Sequence, residues 1–273
     1  MRIQILSDLH TEFYKSFPRI PPATGADTLV LAGDIGTLGK REILVGFLEY
    51  CSANWKNVIY VPGNHELYHS RCTFQEILTE LETICGGLPN IHFLVNKTVI
   101  VDGYVFVGTP LFPQITGGRC EIMNDFTRIQ RKDERGWTTP ITPQVWNAEL
   151  SAPQWEWFTE EMTRLRDSHP PHKIIVVTHY PPIRDGTSHP KYDTQPDEVK
   201  QYFSSNQEEM LRRLVGGYVD FTGTPPMTMI SGHTHYSYDF ERGGIRYISR
   251  ALGYPGEHEE SLFDEFADFV DLN

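Results

Sequence analysis

The feature that most constrains this sequence is a set of five short apolar runs, each ending in a small residue followed by Asp, Asn or His. Runs of this length that are rich in Val, Ile and Leu predict buried strands rather than helices. In an α/β sheet, ligands bind outside the carboxyl ends of the strands. The polar residues after the runs therefore predict a functional site at one sheet edge. The five segments are QILSDLH (4–10), DTLVLAGD (27–34), NVIYVPGNHE (57–66), IIVVTH (174–179) and MTMISGHTH (227–235).

Helical patterns alternate with these strands, which is typical of a mixed α/β fold. Apolar residues at helical spacing predict helices over 42–50 and 73–84. A third helix is predicted to begin at Ser151, because Ser can cap a helix and Pro153 suits its first turn. Further apolar runs predict shorter strands at 91–95, 98–101, 104–108, 236–241 and 245–249.

We expect one domain over residues 1–256, followed by an acidic C-terminal tail over 257–273. Two stretches rich in Pro, Gly, Thr and charge, 109–150 and 180–205, predict long excursions from the framework, and such excursions often grip a substrate. Part of the tail is expected to dock, because four apolar residues recur in it at helical spacing: Phe263, Phe266, Phe269 and Val270.

The composition excludes several classes of protein. The formal net charge is −12 and no cluster of Lys and Arg is present, which argues against long nucleic acids as partners. No run approaches the roughly 18 apolar residues of a membrane span. The N-terminus begins as a strand rather than as a signal peptide, so we expect a cytoplasmic protein. Four cysteines lie far apart without metal-ligand spacing, which predicts reduced thiols. The sequence leaves the oligomeric state open.

The strand ends carry residues that bind metals. Side chains alternate along a strand, so Asp8 and His10 point the same way and can offer ligands to one ion. Alone, this pair could be a capping Asp beside a core His, and the Gly-Asp of the second run could be a turn. Together, the strand ends bring too many polar groups to one place for them to satisfy one another. They exceed the four ligands of a structural zinc site and suit two ions with one shared carboxylate. The seven candidate ligands are Asp8, His10, Asp34, Asn64, His179, His233 and His235.

In chain order, the blocks SDLH, GD, GNHE, TH and GHTH resemble the five-block signature of the calcineurin-like metallophosphoesterases. The resemblance implies a four-layer α-β-β-α sandwich of two mixed β-sheets flanked by helices, with the metals at one edge. It implies one ion held by Asp8, His10 and His235. It implies a second ion held by Asn64, His179 and His233, with Asp34 as the bridge between the two. His65 would stay off the metals and face the substrate.

The second block departs from one branch of that family. Related protein Ser/Thr phosphatases carry a GDxVDRG-like block, whose later Asp and Arg support the catalytic His and grip phosphate. Thr37 and Leu38 stand at those places here, so a protein phosphatase is not expected. The chain instead resembles the smaller bacterial-type phosphodiesterases, including the class III cyclic-nucleotide group. The resemblance implies a dinuclear metal-dependent phosphoesterase that hydrolyses phosphodiester bonds of small phosphate-ester substrates.

A mechanism follows from that arrangement. Two ions about 3.5–4 Å apart can hold a shared water and lower its pKa, so that a bridging hydroxide attacks phosphorus in line. Both ions also withdraw charge from the phosphoryl oxygens. We expect catalytic roles for Asp34 as the bridge and for His65, either as proton donor to the leaving group or as a hydrogen-bond stabiliser of the phosphoryl group. The ligand types leave the metals open among Mn, Fe, Co, Zn and Ni.

The substrate contacts are less constrained. Arg128, in the first excursion, could reach a phosphate or could be a surface residue paired with Asp125. Two other functions remain open, namely a phosphomonoesterase and a metal-binding interaction module that has lost catalysis. Relatives of the second kind typically lose ligands or the catalytic His, and this chain keeps all of them, which favours an enzyme. The candidate substrate-binding residues are Asn64, His65, Tyr68, Arg128 and His189.

Overall fold

Two β-sheets packed face to face form the centre of the protein, and helices cover the outer face of each sheet. The computed structural model describes residues 1–117, 123–168, 173–215, 227–257 and 269–272. This four-layer α-β-β-α arrangement confirms the predicted fold class.

The first sheet contains five strands: β1 (Arg2–Leu6), β2 (Thr28–Ala32), β3 (Asn57–Val61), β4 (Ile91–Phe93) and β13 (Val270–Asp271). Their order is β13-β1-β2-β3-β4. The strands β1 to β4 run parallel, and β13 is antiparallel to β1. The carboxyl ends of the first three predicted strands therefore lie at one edge.

The second sheet contains six strands: β5 (Lys97–Val101), β6 (Tyr104–Gly108), β9 (Ile174–Val177), β10 (Met227–Ile230), β11 (Tyr238–Arg242) and β12 (Ile245–Ser249). Their order is β11-β12-β10-β9-β6-β5. The four inner strands are parallel and the two edge strands are antiparallel to their neighbours, so the sheet is mixed. A separate hairpin joins β7 (Gln130–Lys132) to β8 (Thr138–Pro140).

Four longer helices form the outer layers: α1 (Arg41–Asn54) and α2 (Phe74–Gly86) on the first sheet, α5 (Ala152–Ser168) and α7 (Glu208–Val215) on the second. The start of α2 follows from local chemistry. Thr73 accepts a hydrogen bond from the N–H of Glu76, whose carboxylate accepts from the N–H of Thr73. This reciprocal cap satisfies two N–H groups that have no partner within the helix. Three short helices are α3 (Asp125–Arg128), α4 (Pro143–Val145) and α6 (Asp197–Lys200).

The central core explains why the strand sequences are almost continuously apolar. Val30 and Ile59 of the first sheet and Ile175 and Ile230 of the second belong to one buried cluster between the sheets. Neighbouring side chains such as Leu29 point to the opposite face and pack under the helices. Both faces of each parallel strand are therefore buried, as in other helix-covered parallel sheets.

The predicted helix start at Ser151 is wrong. Helical structure begins at α4, where Thr142 accepts a hydrogen bond from the N–H of Val145 and Pro143 occupies the first turn. A π-helical segment, Trp146–Ser151, joins α4 to α5 and leaves Ser151 buried within the helical run. Thr followed by Pro is the same cap signal that was assigned to Ser151, placed further upstream.

The predicted docking of part of the tail is confirmed at Val270, although this residue docks as a strand and not through helical spacing. Val270 is a strand residue that pairs with Ile3 of β1, and its side chain joins the central core. A β-branched residue beside an open sheet edge gains both ladder hydrogen bonds and burial there. Phe263 and Phe266 lie outside the described residues, and the division into a domain and a tail stays a prediction.

Within the described ranges, no helix combines the length and apolar character needed to cross a membrane. The cytoplasmic location stays a prediction. Cys51, Cys72 and Cys85 are free thiols, as expected, and Cys120 lies outside the described residues.

Candidate metal centre

The carboxyl ends of five strands meet at one edge of the sandwich. Strands β1, β2 and β3 of the first sheet and β9 and β10 of the second lead directly into the predicted ligands. Among the described residues, their donor atoms form three groups within 4.8 Å of one another. The groups are Asp8 with His10 and His235, His10 with Asp34 and His65, and Asp34 with His179 and His233.

The backbone at five of the seven predicted ligands is left-handed. The φ angle is 55° at Asp8, 47° at His10, 55° at Asp34, 70° at His233 and 51° at His235. Residues with a side chain rarely adopt this conformation, which costs on the order of 1–3 kcal/mol each and recurs at functional sites. The surrounding fold therefore holds these side chains in positions that an unconstrained turn would not favour.

Two glycines explain why small residues precede the ligands in the sequence. A Cβ atom at Gly33, where φ is +86°, would lie 2.2 Å from Nδ1 of His179. A Cβ atom at Gly63 would lie 2.2 Å from Oδ1 of Asp34. Both distances are far below van der Waals contact. Glycine at these positions lets the two sheets bring their polar residues together.

Two carboxylates fix the tautomers of His10 and His235. The Nδ1–H of His10 donates to Glu12 Oε1 at 3.3 Å. The Nδ1–H of His235 donates to Glu257 Oε2 at 2.6 Å. Both Nε2 atoms then carry a lone pair, and they face each other at 3.0 Å. Asp8 Oδ1 lies 3.6 Å from His235 Nε2, so three electron-pair donors share one small volume.

The group of Asp34, His179 and His233 also brings electron-pair donors close together. His179 donates its Nδ1–H to a β2 carbonyl, which leaves a lone pair on Nε2. This Nε2 lies 3.0 Å from Asn64 Oδ1 and 3.3 Å from Asp34 Oδ1. It also lies 3.2 Å from Nδ1 of His233, whose Nε2–H donates to the carbonyl of Tyr202 at 3.2 Å. When the His179 ring is neutral, the atoms that face one another here are all acceptors.

Such acceptor sets fit divalent cations, because buried lone pairs that face one another need positive charge. The electrostatics agree with this fit. Burial lowers the pKa of His179, but the adjacent Asp34 carboxylate outweighs it and raises that pKa to about 9. Burial and the charge of His179 lower the pKa of His233 well below its usual value. The Asp34 carboxylate therefore favours a positive charge at His179, and the neighbouring His233 imidazole stays neutral.

Asp34 lies between the two groups. Its Oδ2 is 3.9 Å from His10 Nε2, and its Oδ1 is 3.3 Å from His179 Nε2. Oδ1 also accepts the backbone N–H of His65 at 2.9 Å. Burial raises the pKa of Asp34, but the charges of His179 and His65 outweigh burial and hold this pKa well below its usual value. An ionised carboxylate thus faces both groups.

Glu66 holds the backbone on either side of the predicted ligands Asp34 and Asn64. Its carboxylate accepts backbone N–H groups from Asp34 at 3.0 Å, Ile35 at 2.7 Å and Gly63 at 2.7 Å, and the hydroxyl of Tyr60 at 2.9 Å. Burial and the charge of Asp34 raise the pKa of Glu66 to about 7. The GNHE block contains this residue, but the sequence alone indicated no role for it.

His65 lies beside the groups and faces outward. Its Nδ1–H donates to Glu12 Oε1 at 2.8 Å, and its Nε2 accepts the hydroxyl of Tyr254 at 3.1 Å. Nε2 is 4.0 Å from Asp34 Oδ2. Burial lowers the pKa of His65, but Asp34 and Glu12 outweigh burial and raise it overall. This imidazole can hold a proton next to the metal groups.

A buried carboxyl orients Asn64. The side-chain N–H groups of Asn64 donate to Asp125 Oδ1 at 3.0 Å and to the Tyr68 hydroxyl at 2.9 Å, which directs its Oδ1 towards His179. Burial raises the pKa of Asp125 to about 6. No ion pair joins Asp125 to Arg128 in the described parts of the chain, so the alternative of a surface pair is wrong. The Arg128 guanidinium instead lies 5.9 Å from the centre of the Tyr68 ring.

A cleft of about 1020 Å³ opens beside His65. Tyr68 and Tyr254 form aromatic parts of its wall, and Lys40 and Arg128 supply positive charge. Neither cation has an ion-pair partner among the residues that the structure describes. In a chain of net charge −12, these two side chains give this part of the cleft wall a local positive charge.

His189 does not lie with these residues. Its ring contacts the ring of Tyr236, with 5.6 Å between centroids, and its Nδ1 accepts the N–H of Lys191 at 3.1 Å. It is not part of the cleft wall described above. A contact between His189 and substrate stays a prediction without a structural observation in its favour.

Besides Glu66, sequence reasoning missed four residues that contact the predicted ones: Glu12, Asp125, Tyr254 and Glu257. One local signal was available, because Glu12 follows His10 by two residues in the first block. The others come from distant segments, and only the fold brings them to the strand ends.

Comparison with known proteins gives relatives along most of the chain. The family model described as calcineurin-like phosphoesterase matches residues 1–237. An uncharacterized protein of Acanthamoeba polyphaga mimivirus is 27% identical over 256 residues, which cover 90% of this chain and 84% of that protein. A UPF0046 protein of Caenorhabditis elegans is 29% identical over 120 residues, which cover 41% of this chain and 40% of that protein.

Solved structures share the fold. The phosphopantetheinyl hydrolase PptH of Mycobacterium tuberculosis superposes with a TM-score of 0.63 at 17% identity, over 93% of this chain and 89% of that chain. A dimetal phosphatase of Danio rerio superposes with a TM-score of 0.50 at 13% identity, over 91% of this chain and 86% of that chain. At these identities the likeness shows the fold alone.

Proposed function

Because the chain belongs to the calcineurin-like phosphoesterase family and is thus a metal-dependent phosphoesterase, we propose that it hydrolyses phosphodiester bonds of small substrates at a centre of two divalent cations. One observation carries the proposal. On each side of Asp34, ligand atoms of largely buried side chains converge: Nε2 of His10 lies 3.0 Å from Nε2 of His235, and Nε2 of His179 lies 3.0 Å from Oδ1 of Asn64. Two such groups that share a carboxylate suit two cations better than one.

The ligand roles belong to the same proposal. Asp8, His10 and His235 would hold one cation. Asn64, His179 and His233 would hold the other, and Asp34 would contribute to both. The neutral amide of Asn64 keeps the summed ligand charge low. Imidazole with carboxylate suits Mn, Fe, Co, Zn and Ni, so the donor chemistry fits several metals.

When bound, two such cations supply an activated water and withdraw charge from the phosphoryl oxygens. The chain's own residues supply the proton. His65 carries hydrogen-bond partners on both ring nitrogens, and its Nε2 faces the cleft. We assign it as donor, so that its Nε2–H passes to the departing oxygen and leaves a neutral imidazole.

The cleft supports a substrate with two ester substituents. Its volume of about 1020 Å³ exceeds the space that a single phosphoryl group needs. One substituent departs next to His65, and the cations Arg128 and Lys40 favour a substrate with additional negative charge. Tyr68 presents its ring beside His65, with 4.4 Å between ring centroids, and would pack against the departing group.

The test compares hydrolysis of bis-p-nitrophenyl phosphate with that of p-nitrophenyl phosphate. The protein is reconstituted with Mn²⁺, and a chelated sample serves as control. Chelator-sensitive turnover that favours the diester supports the proposal. Preference for the monoester makes the protein a phosphomonoesterase. If neither compound is turned over although two metals are bound per chain, the interaction module without catalysis becomes the better account.

A further inference from the structure

One carboxylate contacts both a proposed metal ligand and the proposed acid. Glu12 belongs to a 3-10 turn, Thr11–Phe13, directly after the first strand. Its Oε1 accepts the Nδ1–H of His65 at 2.8 Å and the Nδ1–H of His10 at 3.3 Å. The side chain of Glu12 is only 11% exposed, so water competes little for these bonds.

The chemistry of a carboxylate decides where the hydrogens lie. An ionised carboxylate accepts hydrogen bonds and donates none, so both Nδ1 atoms carry their hydrogen. The lone pair of His10 is thereby directed to the metal group. Proton exchange at His65 is confined to Nε2, the atom that faces the cleft.

The position of Glu12 in the sequence explains how one carboxylate reaches both rings. In this chain the carboxylate comes from the first block, two residues after His10. The turn that holds Glu12 therefore directly follows the proposed ligand His10, and its carboxylate reaches the proposed acid His65.

Resting on the proposed function, we propose that Glu12 is a positioning residue, which fixes the tautomer and ring orientation of His65 and His10 together. It acts through the two imidazoles and does not itself contact the substrate. Carboxylate partners of this kind typically affect metal affinity or activity by about 10- to 100-fold when they are removed. We expect an effect of that size here.

One observation favours a different role for Glu12. Its second oxygen, Oε2, is buried and has no hydrogen-bond partner within the described ranges. A free carboxylate oxygen could bind a metal directly. The metal content of a Glu12 variant therefore separates a positioning residue from an additional ligand, because losing a ligand lowers the number of bound ions.

The first measurement needs no activity. Long-range ¹H–¹⁵N spectra of the metal-free full chain report which ring nitrogen of each His carries hydrogen. We expect the Nδ1–H form for His65 in the unmodified protein and a loss of this fixed form in Glu12→Gln. Glu257→Gln is the matched variant, because Glu257 accepts the Nδ1–H of His235. It is expected to change the His235 signals and to leave those of His65 in place.

The second measurement is kinetic. At saturating Mn²⁺, Glu12→Gln is expected to lower kcat about 10- to 100-fold, with KM within about threefold and two metals still bound. Glu12→Asp should restore part of kcat, because it keeps the charge on a shorter side chain. Thermal unfolding measures whether each variant is folded. If Glu12→Gln does not fold, the same spectra and kinetics are measured on Glu12→Asp.

Three outcomes would overturn the inference. They are an unchanged His65 spectrum in Glu12→Gln, a kcat within about threefold of the unmodified protein, and a metal count that falls to one per chain. Failure of the proposed function would look different, because the unmodified protein would then show no metal-dependent hydrolysis. The spectra would still decide whether Glu12 orients His65.

Discussion

Nε2 of His10 and Nε2 of His235 face each other at 3.0 Å, although the two residues lie at opposite ends of the chain. Each ring donates its other N–H to a carboxylate, Glu12 for His10 and Glu257 for His235. Both facing atoms therefore carry lone pairs. Two facing lone pairs repel unless a proton or a cation lies between them, which is the physical basis of the metal centre proposed here.

Replacing His235 by Ala should remove one of the two cations. Asp8, His10 and the shared Asp34 would then hold this ion with one ligand fewer, while the group around His179 stays complete. Inductively coupled plasma mass spectrometry of the Mn²⁺-loaded protein should give about one metal per chain instead of two. His92→Ala, at a strand residue away from the site, is the control and should keep two.

Replacing His65 by Asn should lower kcat while both cations stay bound. The expected loss is about 10²- to 10⁴-fold, because a positioned proton donor contributes that much to a reaction. The loss should shrink for substrates whose departing group needs no proton, such as p-nitrophenolate. Steady-state kinetics on an alkyl and a nitrophenyl diester measure both effects. Equal losses for the two diesters would argue against His65 as the acid.

Replacing Arg128 by Ala should raise KM for substrates that carry an additional phosphate. Its guanidinium lies over Tyr68 at the cleft and has no ion-pair partner among the described residues. We expect a rise of about 10- to 150-fold, since a charge-assisted bond to phosphate is worth roughly 1.5–3 kcal/mol. KM for a diester without additional charge should change little. Arg131→Ala, in the nearby hairpin, is the control.

Replacing Gly33 by Ala should destabilise the protein more than the same change at Gly103. Both glycines have a similar φ, +86° and +81°, so the backbone strain is comparable. A Cβ atom at Gly33 meets the His179 ring at 2.2 Å, whereas at Gly103 it meets nothing within 4 Å. The difference in unfolding free energy should be about 2 kcal/mol or more, measured by urea titration. Equal losses of unfolding free energy in the two variants would show that backbone strain alone, and not the contact with His179, sets the cost of the substitution.

The sequence predicted most strands well because strands follow from short-range patterns, whereas the four-layer sandwich was implied by the resemblance to the calcineurin-like metallophosphoesterases. Continuous apolar runs identified strands buried on both faces, and small residues before Asp34 and Asn64 marked where backbone and side chains meet closely. Topology then placed the predicted ligands together, since the carboxyl ends of parallel strands share an edge. Their roles as ligands stay a proposal.

What the sequence did not predict depends on contacts between distant segments. Asp125 orients Asn64 and Tyr254 contacts His65, and nothing in their local patterns indicates these partners. The helix start at Ser151 was wrong because the sequence offers two similar cap signals, and the helical run begins at the earlier one, Thr142. Val270 pairs as a strand because β1 offers an edge, which helical spacing in the tail does not reveal.

The most direct measurement of the central claim is anomalous diffraction from crystals of the Mn²⁺-loaded protein. The account predicts two peaks, one among Asp8, His10 and His235 and one among Asn64, His179 and His233, with the Asp34 carboxylate between them. A single peak, or two peaks away from these side chains, would contradict a dinuclear centre shared through Asp34.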